Sequence, residues 1–170
     1  MDFSLRKARK EDVERIMEIM SQAKAQMACE GSRQWDESYP APENILADIE
    51  AGVGYVLCES AAPAAVVVYG AIVLTGEPAY DEIDGQWLKD GKYVVLHRLA
   101  VADEVKGHGV ATRFFMETAR IGRENGAASF RVDTNFDNAR MLHIADKLGF
   151  TYCGEVLYRR GSRKAFEKEL

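Results

Sequence analysis

The sequence predicts a single α+β domain spanning residues 1–170, and three observations lead there. Its 170 residues are 47% hydrophobic and 29% charged, enough chain for one substantial core and little more. Apolar periods of strand and helix type succeed one another as β-α-α-β-β-β-α-β-α-β-β, in grouped runs instead of strict alternation. No internal repeat, low-complexity tract or linker divides the chain.

Asp2 to Ala8 half-alternates, with Phe3 and Leu5 on one face, and predicts the first strand. A long helix opens at Lys10 or Asp12. Its Val13, Ile16, Met20, Ala23 and Met27 keep the spacing of one helix face, and Gly31 ends it. After a loop carrying Trp35, Tyr39, Pro40 and Pro42, a second helix runs from about Glu43 to Ala51, with Ile45, Leu46 and Ile49 inward. Gly52 and Gly54 punctuate the change to strands. Tyr55–Glu59 and Ala64–Leu74 predict a hairpin around Ala61-Ala62-Pro63. Thr75 to Gly91 is a polar connection without a clear period. Tyr93–Val101 is a nearly continuous apolar strand, the pattern of burial on both faces. A Gly-rich turn leads into a helix from about Gly109 to Asn125, and Phe130 and Val132 alternate with polar neighbours in a strand from Ser129 to Thr134. Asn138 to Leu148 is the last helix, ended by Gly149. Thr151–Leu157 and Lys164–Lys168 close the chain as a hairpin around Gly161-Ser162.

Composition narrows the function class without naming an activity. Twenty-two Lys+Arg against 27 Asp+Glu leave a formal charge of −5 and a pI near 5.3, the wrong sign for a nucleic-acid binder held by a broad basic surface. No window carries the run of about 18 apolar residues that a membrane span needs. The amino terminus has no apolar stretch of signal-peptide length, so a cytoplasmic protein is expected. Cys29, Cys58 and Cys153 are odd in number and far apart, with no CxxC or Cys/His cluster. Buried or half-buried free thiols are therefore expected, not a disulfide framework or a metal site.

The most informative segment runs from Leu99 to Thr112. An apolar strand passes through a turn with two spaced glycines, Gly107 and Gly109, straight into a helix. Glycines there permit unusual dihedrals and close approach of a ligand. The free N–H groups of the first helical turn, with the helix dipole behind them and Lys106 beside them, suit a phosphate. An ordinary glycine-containing strand-to-helix turn is the plainer reading. The GxxxxGK[ST] spacing of a P-loop is absent. A dinucleotide-binding oxidoreductase would place a third glycine where this chain has Thr112, although Asp133 could imitate its ribose-binding acid.

These residues resemble a known family. Lys106-Gly107-His108-Gly109-Val110-Ala111 is similar to the [Arg/Gln]-x-x-Gly-x-[Gly/Ala] acyl-CoA motif of the GCN5-related N-acetyltransferases (GNAT), and His97-Arg98-Leu99-Ala100-Val101 to that family's fourth strand. Asn138-Ala139-Arg140 and Lys147-Leu148-Gly149-Phe150 resemble its helix-four signature. The resemblance implies a mixed, mainly antiparallel sheet with helices on both faces. It also implies acetyl-CoA in a cleft where the fourth and fifth strands splay apart. The pyrophosphate would meet the backbone N–H groups of Gly107, Gly109, Val110 and Ala111, with Thr112 near a phosphate oxygen. The pantetheine would run along Leu99, Ala100 and Val101 like an added strand and bond to Asn138, which would serve equally well as a helix N-cap.

The implied reaction is direct transfer of acetyl from acetyl-CoA to an amine in a ternary complex, with no metal. A backbone N–H near Leu99 to Val101 would polarise the thioester carbonyl. His97 is the candidate base, since histidine titrates near neutrality. A period of two puts His97 on one sheet face with Leu99 and Val101, and Arg98 on the other unless a bulge intervenes. Arg98 is a candidate for a substrate carboxylate or for a structural ion pair. Ala145 stands where many family members carry a tyrosine acid. His143 lies about 140° around the helix from Asn138, which leaves water, Tyr152, Tyr158 or the departing ammonium to protonate the thiolate. Trp35, Tyr39, Tyr80 and Trp87 are aromatics of the two specificity loops, able to hold an amine by stacking or to anchor those loops. Glu77, Asp81, Glu82 and Asp84 could attract a cation or form a solvated face. The expected partner is a small-molecule amine or amino acid, with no nucleic acid or membrane; a monomer and a homodimer both stay open. The absent tyrosine also leaves a non-catalytic acyl-CoA-binding module as a rival.

Overall fold

The computed structural model describes residues 2–60 and 65–170, so the expected turn at Ala61-Ala62-Pro63 lies outside it. Strand β1 (Phe3–Lys7) leads through a 3-10 turn at Lys10–Asp12 into α1 (Val13–Cys29), and α2 (Pro42–Glu50) follows. Arg6 clamps that entry, donating from Nη1 and Nη2 to Asp12 at 2.7 and 2.9 Å. Next come β2 (Gly54–Glu59) and β3 (Ala65–Val73), then a two-residue strand β4 (Asp84–Gly85) inside the connection that shows no period in the sequence. β5 (Tyr93–Val101), α3 (Val110–Glu124), β6 (Ser129–Thr134), α4 (Ala139–Lys147), β7 (Thr151–Tyr158) and β8 (Gly161–Glu169) complete the chain.

Among the described residues the strands form one sheet in the order β1-β2-β3-β5-β6-β8-β7-β4. Its pairings are antiparallel except that of β5 with β6. The helix α3 supplies the crossover that a parallel pair needs. This is not the doubly wound parallel sheet of a dinucleotide-binding oxidoreductase, and that alternative falls.

Helices cover both faces. Gly70 on β3 has no side chain because α3 sits directly on it: a Cβ there would lie 2.6 Å from the Phe114 ring and 3.0 Å from Leu96. Gly70 and Leu96 thus mark the α3 face. Tyr69, the next residue on β3, points the other way and donates its hydroxyl to Asp48 of α2 at 2.6 Å. The α3 face is closed by aromatic packing, with Phe130 and Phe150 rings meeting edge-on 5.0 Å apart and Phe115 against both.

β8 is longer than the sequence predicts, because charged residues occupy its inward positions. Glu167 is fully buried and accepts from Arg131, from Ser129 and from the N–H groups of Leu88 and Lys89. A buried carboxylate satisfied in this way costs far less than a free one. The same contacts pin the connection before β5 to the sheet.

Candidate active site

The cleft opens where a sheet pairing stops. β5 and β6 keep parallel register at Tyr93–Ser129, Val94–Phe130 and Val95–Arg131, and no further. From Leu96 onward the strands part, leaving one backbone edge of β5 unpaired. A cavity of about 650 Å³ lies there, with Leu96 to Val101 on one wall and Asn138, Met141 and Ile144 at α4 on another. That volume suits a small-molecule or cofactor site.

One part of the wall is the start of α3. Gly107 and Gly109 have φ of +81° and +72°, a left-handed conformation that glycine enters without steric cost. A Cβ on either would meet nothing within 4 Å, so the space over both is open. No side chain caps α3, and the N–H groups of its first turn are free to meet an anion. Lys106 lines the cleft too, but it is ion-paired with Asp103.

Another part is built by a bulge in β5. Tyr69 pairs with Ala100 and Ala71 with His97, so β5 holds one more residue than β3 across this step. Arg98 absorbs it at φ +55°, a strained conformation held by its surroundings. The bulge reverses the alternation, which corrects the expected grouping of His97 with Leu99 and Val101. His97 stays opposite Ala71 on the α2 face, whereas Val101 pairs with Val68 and falls on the α3 face.

Arg98 also reaches the α2 side. Its Nε and Nη2 donate to Asp48 at 2.8 and 2.6 Å, and its Nη1 donates to the Tyr39 hydroxyl at 3.1 Å. Burial opposes its charge, but Asp48 and Tyr39 more than compensate and raise its pKa. Asp48 takes the Nε–Nη2 edge of the guanidinium and matches its charge, so Arg98 anchors the bulge and Tyr39 as a structural ion pair.

Beside it, His97 Nε2 lies 3.2 Å from Glu77 Oε2. The Glu77 carboxylate also accepts from the Ala79 N–H at 3.3 Å, and the Glu77 N–H donates to the Tyr93 hydroxyl at 3.0 Å. The His97 contact outweighs burial and holds the Glu77 carboxyl below the usual carboxylate range. Asp133, at the end of β6, accepts on Oδ2 from Tyr80 and Tyr158 at 2.6 and 2.7 Å. Burial, then the Asp133 charge, push both phenols up, so they stay protonated donors.

The structure brings to this one cavity Trp35, Tyr39, His97, Arg98, Leu99, Ala100, Val101, Lys106, Gly107, Gly109, Val110, Ala111, Thr112 and Asn138, all expected at the site. Trp35 is 7% exposed and serves mainly as a packed wall. Asn138 accepts from the Met141 N–H at 3.2 Å as an N-cap and donates to Gln34 at 2.9 Å, which leaves one amide hydrogen free. Ala145 is wholly buried, while His143 and Tyr152 are exposed and outside the cavity. Tyr80 and Trp87 do not line it either. The Trp87 indole donates to the Tyr80 carbonyl at 2.9 Å, and the Arg131 guanidinium lies 4.2 Å from its ring centroid. Of the acidic residues in the connection, Glu77 faces the cavity, and Asp81, Glu82 and Asp84 are on the surface.

Sequence reasoning missed Gln34, whose Oε1 accepts from Thr134, Asn135 and Asn138 and so ties the α1–α2 loop to α4. It also missed the Arg160 guanidinium, which pairs with Asp36 at 2.7 Å and lies 5.1 Å from the Tyr39 ring centroid. These links join the β7–β8 turn to the α1–α2 loop. Neither has a local sequence signal. Among the described residues no group of three His, Cys, Asp or Glu side chains is placed to hold a metal, and no helix is long and apolar enough to cross a membrane. The three cysteines are unpaired; Cys58 and Cys153 are buried, but Cys29 is exposed, against expectation.

With this geometry in hand, likeness to known proteins is informative. A family model for the acetyltransferase (GNAT) domain matches residues 2–151. A GNAT-family acetyltransferase from Streptococcus agalactiae is 33% identical, with a TM-score of 0.87 over 99% of this chain and 95% of that one. A GNAT-family acetyltransferase from Listeria monocytogenes is 23% identical with a TM-score of 0.76, covering 99% and 95%, a likeness of fold. A Salmonella typhimurium protein whose structure holds its cofactor acetyl-CoA is 18% identical with a TM-score of 0.67, covering 99% and 94%, again a likeness of fold. No curated protein matches the chain.

Proposed function

The chain belongs to the GNAT family of acetyltransferases, and on that premise we propose that it moves the acetyl group of acetyl-CoA directly to the primary amine of a small molecule or amino acid. One observation carries the reading: a single cleft joins an open anion cradle at Gly107 and Gly109 to the His97–Glu77 pair, with the unpaired edge of β5 between them.

The pyrophosphate of acetyl-CoA is held by the N–H groups of Gly107, Gly109, Val110 and Ala111, with Thr112 beside it and Lys106 at the rim. The pantetheine arm extends β5 along Leu99, Ala100 and Val101, and the free amide hydrogen of Asn138 meets it. A backbone N–H just past the Arg98 bulge polarises the thioester carbonyl, where negative charge grows as the amine attacks.

The incoming ammonium must lose a proton before it can attack. His97 with Glu77 accepts that proton as a pair, the imidazolium being matched by the carboxylate 3.2 Å away. Of the two tyrosines expected as acids, Tyr152 and Tyr158, Tyr158 lines the cleft, but burial and Asp133 push its pKa up and make it a poor acid. The departing thiolate therefore takes the second proton, which the nitrogen loses as the amide forms, and the proton held by His97 and Glu77 leaves to solvent. Tyr39 and Trp35 form the acceptor wall on the α1–α2 side. The three unpaired thiols suit a reducing compartment such as the cytoplasm.

Steady-state release of CoA thiol over a panel of amines, with acetyl-CoA binding measured by calorimetry, tests this. Turnover with at least one amine is the expected result. Tight acetyl-CoA binding without turnover of any amine would favour a non-catalytic binding module instead.

A further inference from the structure

The β7–β8 hairpin carries a cation that the proposed transfer does not use. Arg163 is 9% exposed and lines the cleft. Its Nη1 donates to Asn135 Oδ1 and to the Ser162 carbonyl, both at 3.2 Å. Its Nε and Nη2 have no partner among the described residues, and no ion pair there includes Arg163. No fully buried side-chain nitrogen or oxygen there lacks a partner, so these two nitrogens keep some exposure, on a residue that lines the cleft. Glu167, two strand pairs away on β8, is already taken by Arg131 and is no counter-ion for it. A nearly buried guanidinium without a carboxylate is costly and presents the planar fork that binds one bidentately.

Its position relative to the other charges is informative. Strand alternation puts Arg163 on the same face as Ala165, which packs with Val95 and Tyr80 and pairs with Asp133. Val95 and His97 share that face. Asp133 spends Oδ2 on two tyrosines, and no partner occupies its Oδ1 among the described residues. Arg163 and the strand pair holding Asp133 are two residues apart along β8, about 7 Å. The cleft therefore offers the carboxylates of Glu77 and Asp133 and the unmatched guanidinium of Arg163, the last two spaced along the sheet by about the span of a small zwitterion.

We propose that the acceptor carries an anionic group beside its amine, most simply a free amino acid, with its carboxylate held by Arg163 and its ammonium received by Asp133 and Glu77. This rests on the acetyltransferase reading above and narrows it. The Arg98 charge is already matched by Asp48, whereas that of Arg163 has no carboxylate among the described residues, so the carboxylate site falls to Arg163 instead. Arg159, exposed at the same rim of the cleft, adds positive potential at the entrance. A phosphate of the cofactor is the other anion that could reach Arg163, and the affinity for acetyl-CoA separates the two.

The test is a panel of free amino acids, each beside its own amide, which keeps the size and amine but removes the negative charge. The native protein should show kcat/KM roughly 10- to 100-fold higher for its preferred amino acids than for their amides, the range of one charge-assisted pair. Arg163→Met should erase that preference, bringing kcat/KM for the amino acids down to the level of their amides with the Kd for acetyl-CoA unchanged, and Arg163→Lys should retain part of it. Equal rates for acids and amides in the native protein, or acetylation of amides and simple amines alone, would overturn the proposal with the acetyltransferase reading intact. Weakened acetyl-CoA binding in Arg163→Met, with selectivity kept, would assign the arginine to the cofactor and overturn it too. No turnover of any panel member would overturn the proposal, and no turnover of simple amines either, with acetyl-CoA tightly bound, would overturn both readings.

Discussion

Gly109→Leu separates the cost of folding this backbone from the cost of binding to it. In the free protein a Cβ at position 109 meets nothing within 4 Å, so the side chain starts into open space. Only the backbone term remains: at φ +72° an L-residue costs about 1–2 kcal/mol. For a domain of this size that lowers Tm by about 2–8 °C. In the complex, the same side chain fills the space the pyrophosphate needs. Losing two backbone N–H bonds to a charged oxygen, at about 1.5–3 kcal/mol each, loosens acetyl-CoA roughly 10²- to 10⁴-fold. Gly126→Leu is the matched control. Gly126 has φ +78° with equally open space, and it lies beyond the far end of α3, outside the cleft. Calorimetric titration with acetyl-CoA, paired with thermal melts, should show both variants melting slightly lower and Gly109→Leu alone losing affinity. A Kd for Gly109→Leu within about threefold of the native value, or an equal loss in Gly126→Leu, would refute the cradle.

Three further predictions use other parts of the structure. His97→Ala should lower kcat/KM and flatten the acid limb of its pH profile, and Glu77→Gln should lower it as well; a pH profile unaltered by His97→Ala would remove that residue from the role of base. Ala145→Tyr, which restores the family's usual residue to a fully buried position, should overpack the core and cost about 1–3 kcal/mol by denaturant unfolding, without raising turnover; a stable, faster variant would contradict the assigned packing. The Asp12 carboxyl is held below its usual range chiefly by Arg6, so its stabilising contribution is complete above about pH 4 and fades as pH falls further. Asp12→Asn should lower stability near neutrality and flatten the acid side of the Tm-against-pH curve, and a curve parallel to the native one would contradict that.

Much of the fold is legible in the sequence because local signals and tertiary packing agree. α1 shows its buried stripe, Gly31 and Gly149 mark helix ends with positive φ, and the apolar run Tyr93–Val101 announces a central strand. Where the sequence misleads, tertiary contacts compete with the local pattern. The bulge at Arg98 breaks the period of two and separates His97 from Leu99 and Val101, and nothing in the residue types there signals an extra residue. β8 hides its inner face because Arg163 and Glu167 stand at buried positions, where Glu167 is satisfied by partners far away in the chain and Arg163 borders the cleft. The candidate cofactor side of the cleft is contiguous in sequence, from Leu99 to Thr112, and is readable for that reason. The acceptor side is assembled from Tyr39, Glu77, His97, Asp133, Tyr158 and Arg163, six positions in different elements. Glu77 looks like one more surface acid until the fold sets it beside His97.

A crystal structure with acetyl-CoA bound tests the central claim most directly. Pyrophosphate oxygens should lie within hydrogen-bonding distance, about 2.7–3.2 Å, of the N–H groups of Gly107 and the first turn of α3. Pantetheine should lie beside Leu99 to Val101, with the acetyl group directed toward His97 and Glu77. Acetyl-CoA seated elsewhere, or with its thioester turned away from that pair, would contradict that claim.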